Sequence, residues 1–173
     1  MTAALGRAHA ALVSALEKFL VIAFAVLTLD VLWGVFSRYV LGAQSRWTEE
    51  LAIYLLVWVS LLGASVTYGE KGHLGVDYFV GKLDPAAQKV AEVFVELVVL
   101  VFAGFALVYG GYALVVKTLE AEQTSPALGV PVGYLYLAAP ISGVFFVMFS
   151  IESLLELLMG RDSARRQALE TDG

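Results

Sequence analysis

The 173-residue chain is 60% hydrophobic, has charge on only 16% of its positions, carries a net charge of −5 and contains no cysteine. A soluble domain has about 25% charged residues, so an ordinary water-soluble fold is excluded, and the acidic balance excludes nucleic acid, which needs a basic face. Without cysteine there are no disulfides, thiolates or Cys-based metal sites, and His9 and His73 are too far apart in the chain to make a convincing metal site on their own.

The mean hydropathy of +0.80 is distributed as long uncharged runs, and runs of about 20 apolar residues are membrane spans by length. Residues 1–14 form a mildly amphipathic N-terminal segment, with Leu5, Ala8 and Leu12 at helical spacing. It either lies in the membrane plane or extends the first span into the cytoplasm. The first span runs from Phe19 to Ser37 and holds one charge, Asp30. A signal peptide is rejected here: the run exceeds a typical h-region, and bulky "RYVL" follows where a small-residue cleavage site should stand.

The loop after it concentrates Arg38, Arg46, Trp47, Glu49 and Glu50. Thr48 is the expected N-cap of the second span, with Glu49 and Glu50 in the first turn, where the helix dipole favours negative charge. Arg38 faces these carboxylates across the loop, so an ion pair with Glu49 or Glu50 is expected to clamp the hairpin, and the same charges could form a docking surface. Trp33, Tyr39, Trp47 and Tyr54 supply an interfacial aromatic belt.

The second span covers Leu51 to Tyr68. A glycine-rich segment follows, with a short interfacial helix expected around Val76 to Leu83. Asp84 and Pro85 read as N-cap and first residue of the third helix. That helix has its uncharged run from Leu97 to Val116 but could extend from Pro85 to Glu120, about 54 Å against a hydrocarbon core of about 30 Å. The fourth span covers Val132 to Ile151 and contains Pro140, where a kink or a repaired carbonyl is expected. Residues 15–160 thus form a four-helix transmembrane domain, and 161–173 a polar tail. The fold class is an all-α membrane protein.

Arg7, Lys18, Lys71, Lys82, Lys89, Arg161, Arg165 and Arg166 fall on one side of the four spans, and Arg38, Arg46 and Lys117 on the other. Eight against three predicts cytoplasmic termini. Asp30 is either a proton or cation site or a neutral, hydrogen-bonded side chain holding helices together. The second reading is favoured, because no other ionisable residue lies at that depth. Glu92 with Glu96, and Glu152 with Glu156, lie one turn apart; interfacial carboxylates that reach water or pair with Lys89 and Arg161 are favoured over a cation site between helices. No nucleophile, base and orienting group converge, no cofactor motif appears, and no internal repeat marks a complete secondary transporter. The chain reads as a non-enzyme.

Several blocks resemble the small membrane subunit of tripartite ATP-independent periplasmic (TRAP) transporters, the DctQ-like family. They are "RYVLG" from Arg38, "WTEEL" from Trp47, "LGAS" from Leu62, "GHLGVD" from Gly72, which contains His73 and Asp77, and "SPALGVPVGYLYLAAPISG" from Ser125. The resemblance implies a scaffold in the bacterial inner membrane, paired as a heterodimer with a large TRAP membrane subunit that carries the substrate and sodium sites. It also implies a periplasmic substrate-binding protein that delivers an organic anion such as a carboxylate or sialic acid. It brings no catalytic residues and no cofactor, and Asp30 has no clear counterpart in it. Two rival functions are a free-standing homo-oligomeric channel or carrier, and a membrane assembly factor without a transport role.

Overall fold

The computed structural model describes residues 2–43, 45–70 and 84–158. Helix α1 (Thr2–Tyr39) is unbroken, so the amphipathic N-terminal stretch continues the first span. At 38 residues it is about 57 Å long, roughly twice the hydrocarbon thickness. Helix α2 (Arg46–Gly69) is the second span. The third is assembled from α3 (Pro85–Phe102), a π-helical segment (Ala103–Gly110) and α4 (Gly111–Glu120). Its full course from Pro85 to Glu120 matches the length expected from the sequence, and Asp84 and Pro85 occupy the expected N-cap and first positions. The fourth span consists of the short α5 (Gly133–Tyr136) and α6 (Ala138–Leu158). Among the described residues, four helices are long and apolar enough to cross a membrane.

The break expected at Pro140 falls at Leu137, between α5 and α6. Pro140 therefore sits in the first turn of α6, where backbone N–H groups have no intrahelical acceptor in any case, so its missing donor costs little. The Trp58 indole donates to the Tyr134 carbonyl in the turn before the break (3.1 Å), tying α2 to α5.

In space the spans lie in the order one, two, four, three, with α2 and α6 at the centre and span one packed along α2. The centre is built from small residues. The most deeply buried side chains are Ser37, Ser65, Ser142 and Ser150, and Ala103 and Ala138 are fully buried. Small residues let backbones approach where lipid supplies no hydrophobic drive. A methyl group added at Gly111 would meet Pro140 Cδ at 2.8 Å, and one at Gly143 would meet Leu107 Cβ at 2.7 Å. These two contacts seat the third span on the fourth. The hydroxyls of Ser65 and Ser142 bond back to carbonyls of their own helices and so are buried at little expense.

One apolar cluster gathers near the C-terminal end of α2: Val13, Val66, Tyr68 and Phe149. Most other large apolar side chains point outward, as they should when the solvent is hydrocarbon. The segment expected to hold an interfacial helix, with His73 and Asp77, lies outside the described residues, as do the tail and Arg161.

Candidate functional site

The loop residues singled out in the sequence lie at one end of the bundle, called here the hairpin end. Helix α1 stops at Tyr39, and the chain turns through Gly42 at φ +69°. Ser37, 1% exposed, organises the turn. Its hydroxyl donates to the Ala43 carbonyl (2.8 Å), receives the Ser45 amide (3.2 Å) and lies 3.1 Å from the Ser45 hydroxyl. The N-cap of α2 is Ser45, not Thr48 as expected. Thr48 is already inside the helix: its hydroxyl donates to the Ser45 carbonyl (2.7 Å), and its buried side chain fills the space left by Gly34 of α1. Glu49 keeps its expected place in the first turn.

Glu50 departs most from expectation. Its carboxylate accepts the Ser125 hydroxyl and the amides of Ala127 and Leu128, both at 3.0 Å. It is thus bound to the loop between the third and fourth spans and not to Arg38. That loop is shaped to receive it. The Ser125 amide donates to the Val130 carbonyl and the Gly129 amide to the Ser125 carbonyl, both at 2.9 Å, and Gly129 has φ +67°. The turn leaves successive amides pointing into one concavity, an arrangement suited to an anion. One hydroxyl and two amides thus partner the Glu50 charge. The "WTEEL" and "SPALGVP" blocks, some 75 positions apart, therefore meet at one contact.

Around this lock, Arg38, Tyr39, Arg46, Trp47 and Glu49 are exposed, and the Arg38 guanidinium lies 5.9 Å from the centre of the Tyr39 ring. The hairpin end thus presents a fixed rim bearing two guanidinium groups and two large aromatic rings. Among the described residues no group of three metal-binding side chains exists.

A second polar knot lies at the opposite end of the bundle. Glu96, 7% exposed, accepts the hydroxyls of Tyr68, Ser150 (2.9 Å) and Ser153 (2.7 Å). It joins α2, α3 and α6. This overturns the expectation that Glu96 reaches water at the interface: the helix turns it inward, where hydroxyls from two neighbours enclose it. His9 and Glu152 form an adjacent pair at 2.6 Å, linking α1 to α6. Sequence reasoning missed Tyr68, Ser150, Ser153 and His9. The available signal was a pair of serines three apart beside an acidic residue in an otherwise apolar helix.

Asp30 is 6% exposed, and neither carboxyl oxygen has a hydrogen-bond partner among the described residues. It belongs to neither cluster.

Comparison with known proteins gives a consistent result. Residues 27–160 match the family described as tripartite ATP-independent periplasmic transporters, DctQ component. The sialic acid TRAP transporter small permease protein SiaQ of Vibrio cholerae serotype O1 is 27% identical over 157 residues, covering 88% of this chain and 89% of its own length. The C4-dicarboxylate TRAP transporter small permease protein DctQ of Rhodobacter capsulatus is 30% identical over 100 residues, 58% of this chain and 44% of that protein. The isethionate TRAP transporter permease protein DctMQ of Oleidesulfovibrio alaskensis is 29% identical over 116 residues, which are 67% of this chain but only 18% of that protein.

Proposed function

This chain belongs to the DctQ-component family of TRAP transporters, and from that premise we propose that it is the static half of a two-part permease, holding a larger membrane subunit and receiving a binding protein at its hairpin end. It is a small permease subunit and a multi-pass protein of the bacterial inner membrane. The larger subunit carries the substrate and sodium sites, and the cargo is an organic anion. The relatives named for sialic acid, C4-dicarboxylates and isethionate support that class, since each of those compounds is an anion.

The Glu50 lock is the observation that carries the reading. A docking platform must present its groups in fixed geometry, because ordering loops on contact costs affinity. Here both loops at the hairpin end are tied down, one by Ser37 and the other by Glu50. Arg38, Arg46 and Trp47 stand on that platform, and arginine and tryptophan are enriched among residues that dominate interfaces. The distribution of Lys and Arg supports placing this end in the periplasm, where a binding protein would arrive.

The test is uptake of an organic anion into proteoliposomes under a sodium gradient. Vesicles holding this chain, the large subunit and the binding protein should accumulate substrate. Those holding this chain alone should not. Glu50→Ala should leave assembly of the two membrane subunits intact while raising the concentration of binding protein needed for half-maximal uptake. Sodium-driven uptake by the isolated chain would overturn the scaffold reading in favour of a free-standing carrier.

A further inference from the structure

The outward faces of the spans are not equivalent. On α1 the exposed residues at hydrocarbon depth are aliphatic or phenylalanine, and the one hydroxyl among them, Thr28, is satisfied by its own helix through the Phe24 carbonyl (2.8 Å). Trp33 lies only six positions from the end of α1, within about 9 Å of the interface. The exposed face of α6 carries Ile141, Val144, Met148 and Ile151, with no polar group. Both faces suit lipid.

The third span differs. Phe94, Val98, Val101, Phe105, Tyr109 and Tyr112 follow one another at helical spacing, and all are more than half exposed. Tyr109 and Tyr112 are 66% and 64% exposed, and neither hydroxyl has a hydrogen-bond partner among the described residues. Lys117 and Glu120 are the charges that end this span. Tyr112 lies eight positions before Glu120, about 12 Å, and Tyr109 about 16 Å, close to the middle of a core about 30 Å thick. At that depth a phenol facing lipid has no acceptor, and an unpaired polar group in hydrocarbon is costly. The rings are also ordered: Phe105 and Tyr109 stack with centroids 5.7 Å apart and planes at 22°.

We infer that this aromatic stripe on the third span, from Val101 to Tyr112, is the seat for a membrane helix of the larger permease subunit, which offers hydrogen-bond acceptors to the two phenols. The inference rests on the two-part permease proposed above and adds the face on which the parts join. The occupant follows from polar complementarity. Lipid chains offer no acceptor at this depth, whereas a protein helix does so through serine, threonine or asparagine side chains or a freed carbonyl. The isethionate relative, in which the matching region is 18% of one long permease chain, is an instance of such a region covalently joined to a much larger membrane protein.

A photo-crosslinking amino acid placed at Phe105, and separately at Ile22 on α1, tests the assignment in the full chain co-expressed with its large subunit. Illumination should give a covalent adduct between the two subunits from position 105 and none from position 22. An adduct from position 22 alone, an adduct between two copies of this chain from position 105, or no adduct from 105 while the subunits still co-purify would each overturn the assigned face and leave the two-part permease standing. Failure of the unmodified chain to co-purify with the large subunit would overturn both. As a second measurement, the double variant Tyr109→Phe/Tyr112→Phe keeps both rings and removes both donors. It should weaken subunit association about eightfold, at the average strength of hydrogen bonds between membrane helices; unchanged affinity would overturn the assigned acceptors.

Discussion

Replacing Glu96 with leucine removes the acceptor at the centre of the knot that joins α2, α3 and α6. Three hydroxyls donate to this carboxylate, from Tyr68, Ser150 and Ser153. Ser150 also reaches the backbone carbonyl of residue 96 at 3.0 Å, so it keeps a partner. Two bonds to a charged group, those of Tyr68 and Ser153, are then lost. Such bonds contribute about 1.5–3 kcal/mol each in soluble proteins, whereas hydrogen bonds between membrane helices average about 0.6 kcal/mol. The two scales bracket the loss between about 1 and 6 kcal/mol, and the near-complete burial of Glu96 and Tyr68 favours a value of about 3 kcal/mol. Reversible unfolding of the purified chain by SDS in mixed micelles, followed by circular dichroism, measures this directly. The internal control is Tyr68→Phe. Alone it should cost about 1 kcal/mol or more, and in the Glu96→Leu background close to nothing, because the bond it removes is already gone. If Glu96→Leu unfolds with the wild-type profile, or Tyr68→Phe costs the same in both backgrounds, the knot does not hold the three helices together.

Gly111→Leu places a side chain against Pro140, where even a methyl comes within 2.8 Å of Cδ; it should destabilise the bundle by about 1–3 kcal/mol in the same unfolding assay, whereas Gly63→Leu, with nothing within 4 Å, should be tolerated. Asp30→Leu removes a buried carboxyl that has no partner among the described residues, so it should leave stability unchanged or raised, and uptake by the assembled transporter intact; loss of uptake with normal assembly would make Asp30 an ion site. Reporter fusions after Gly42 and after Pro126 should read periplasmic and one after Gly81 cytoplasmic, as the distribution of Lys and Arg requires; the inverted pattern would reverse the assignment of the docking end.

The spans were legible because each is a long uncharged run, and no other architecture can satisfy the backbone of such a run in lipid. Local rules also placed Asp84 and Pro85 at the start of the third helix, since both act on their own turn. Thr48 was misplaced as a cap because Ser45, three residues earlier, is equally suitable, and the choice between them depends on where Ser37 holds the turn. The partner of Glu50 was not legible from its neighbourhood. Arg38 is near in sequence, but the loop that receives the carboxylate is about 75 positions away and offers backbone amides, which no residue type advertises. Glu96 was read as facing water for a similar reason: the hydroxyls that enclose it come from two other helices.

The π-helical segment at Ala103–Gly110 interrupts an otherwise regular helix in mid-span. A widened turn of this kind holds a surplus residue that an α-helix would have to pass on as rotation. Removing one residue there would let the ladder close as α-helix with both halves still in phase, whereas adding one would swing everything beyond it about 100° around the axis. Gly111 would then turn away from Pro140, and Tyr112 would leave the line set by Phe94 and Val101. The surplus residue thus keeps the two halves of the span in phase, so that Gly111 meshes with the fourth span while Tyr112 continues the outer stripe. Within these eight residues an insertion should be far less tolerated than a single deletion, because only the insertion acts as a gear slipping one tooth.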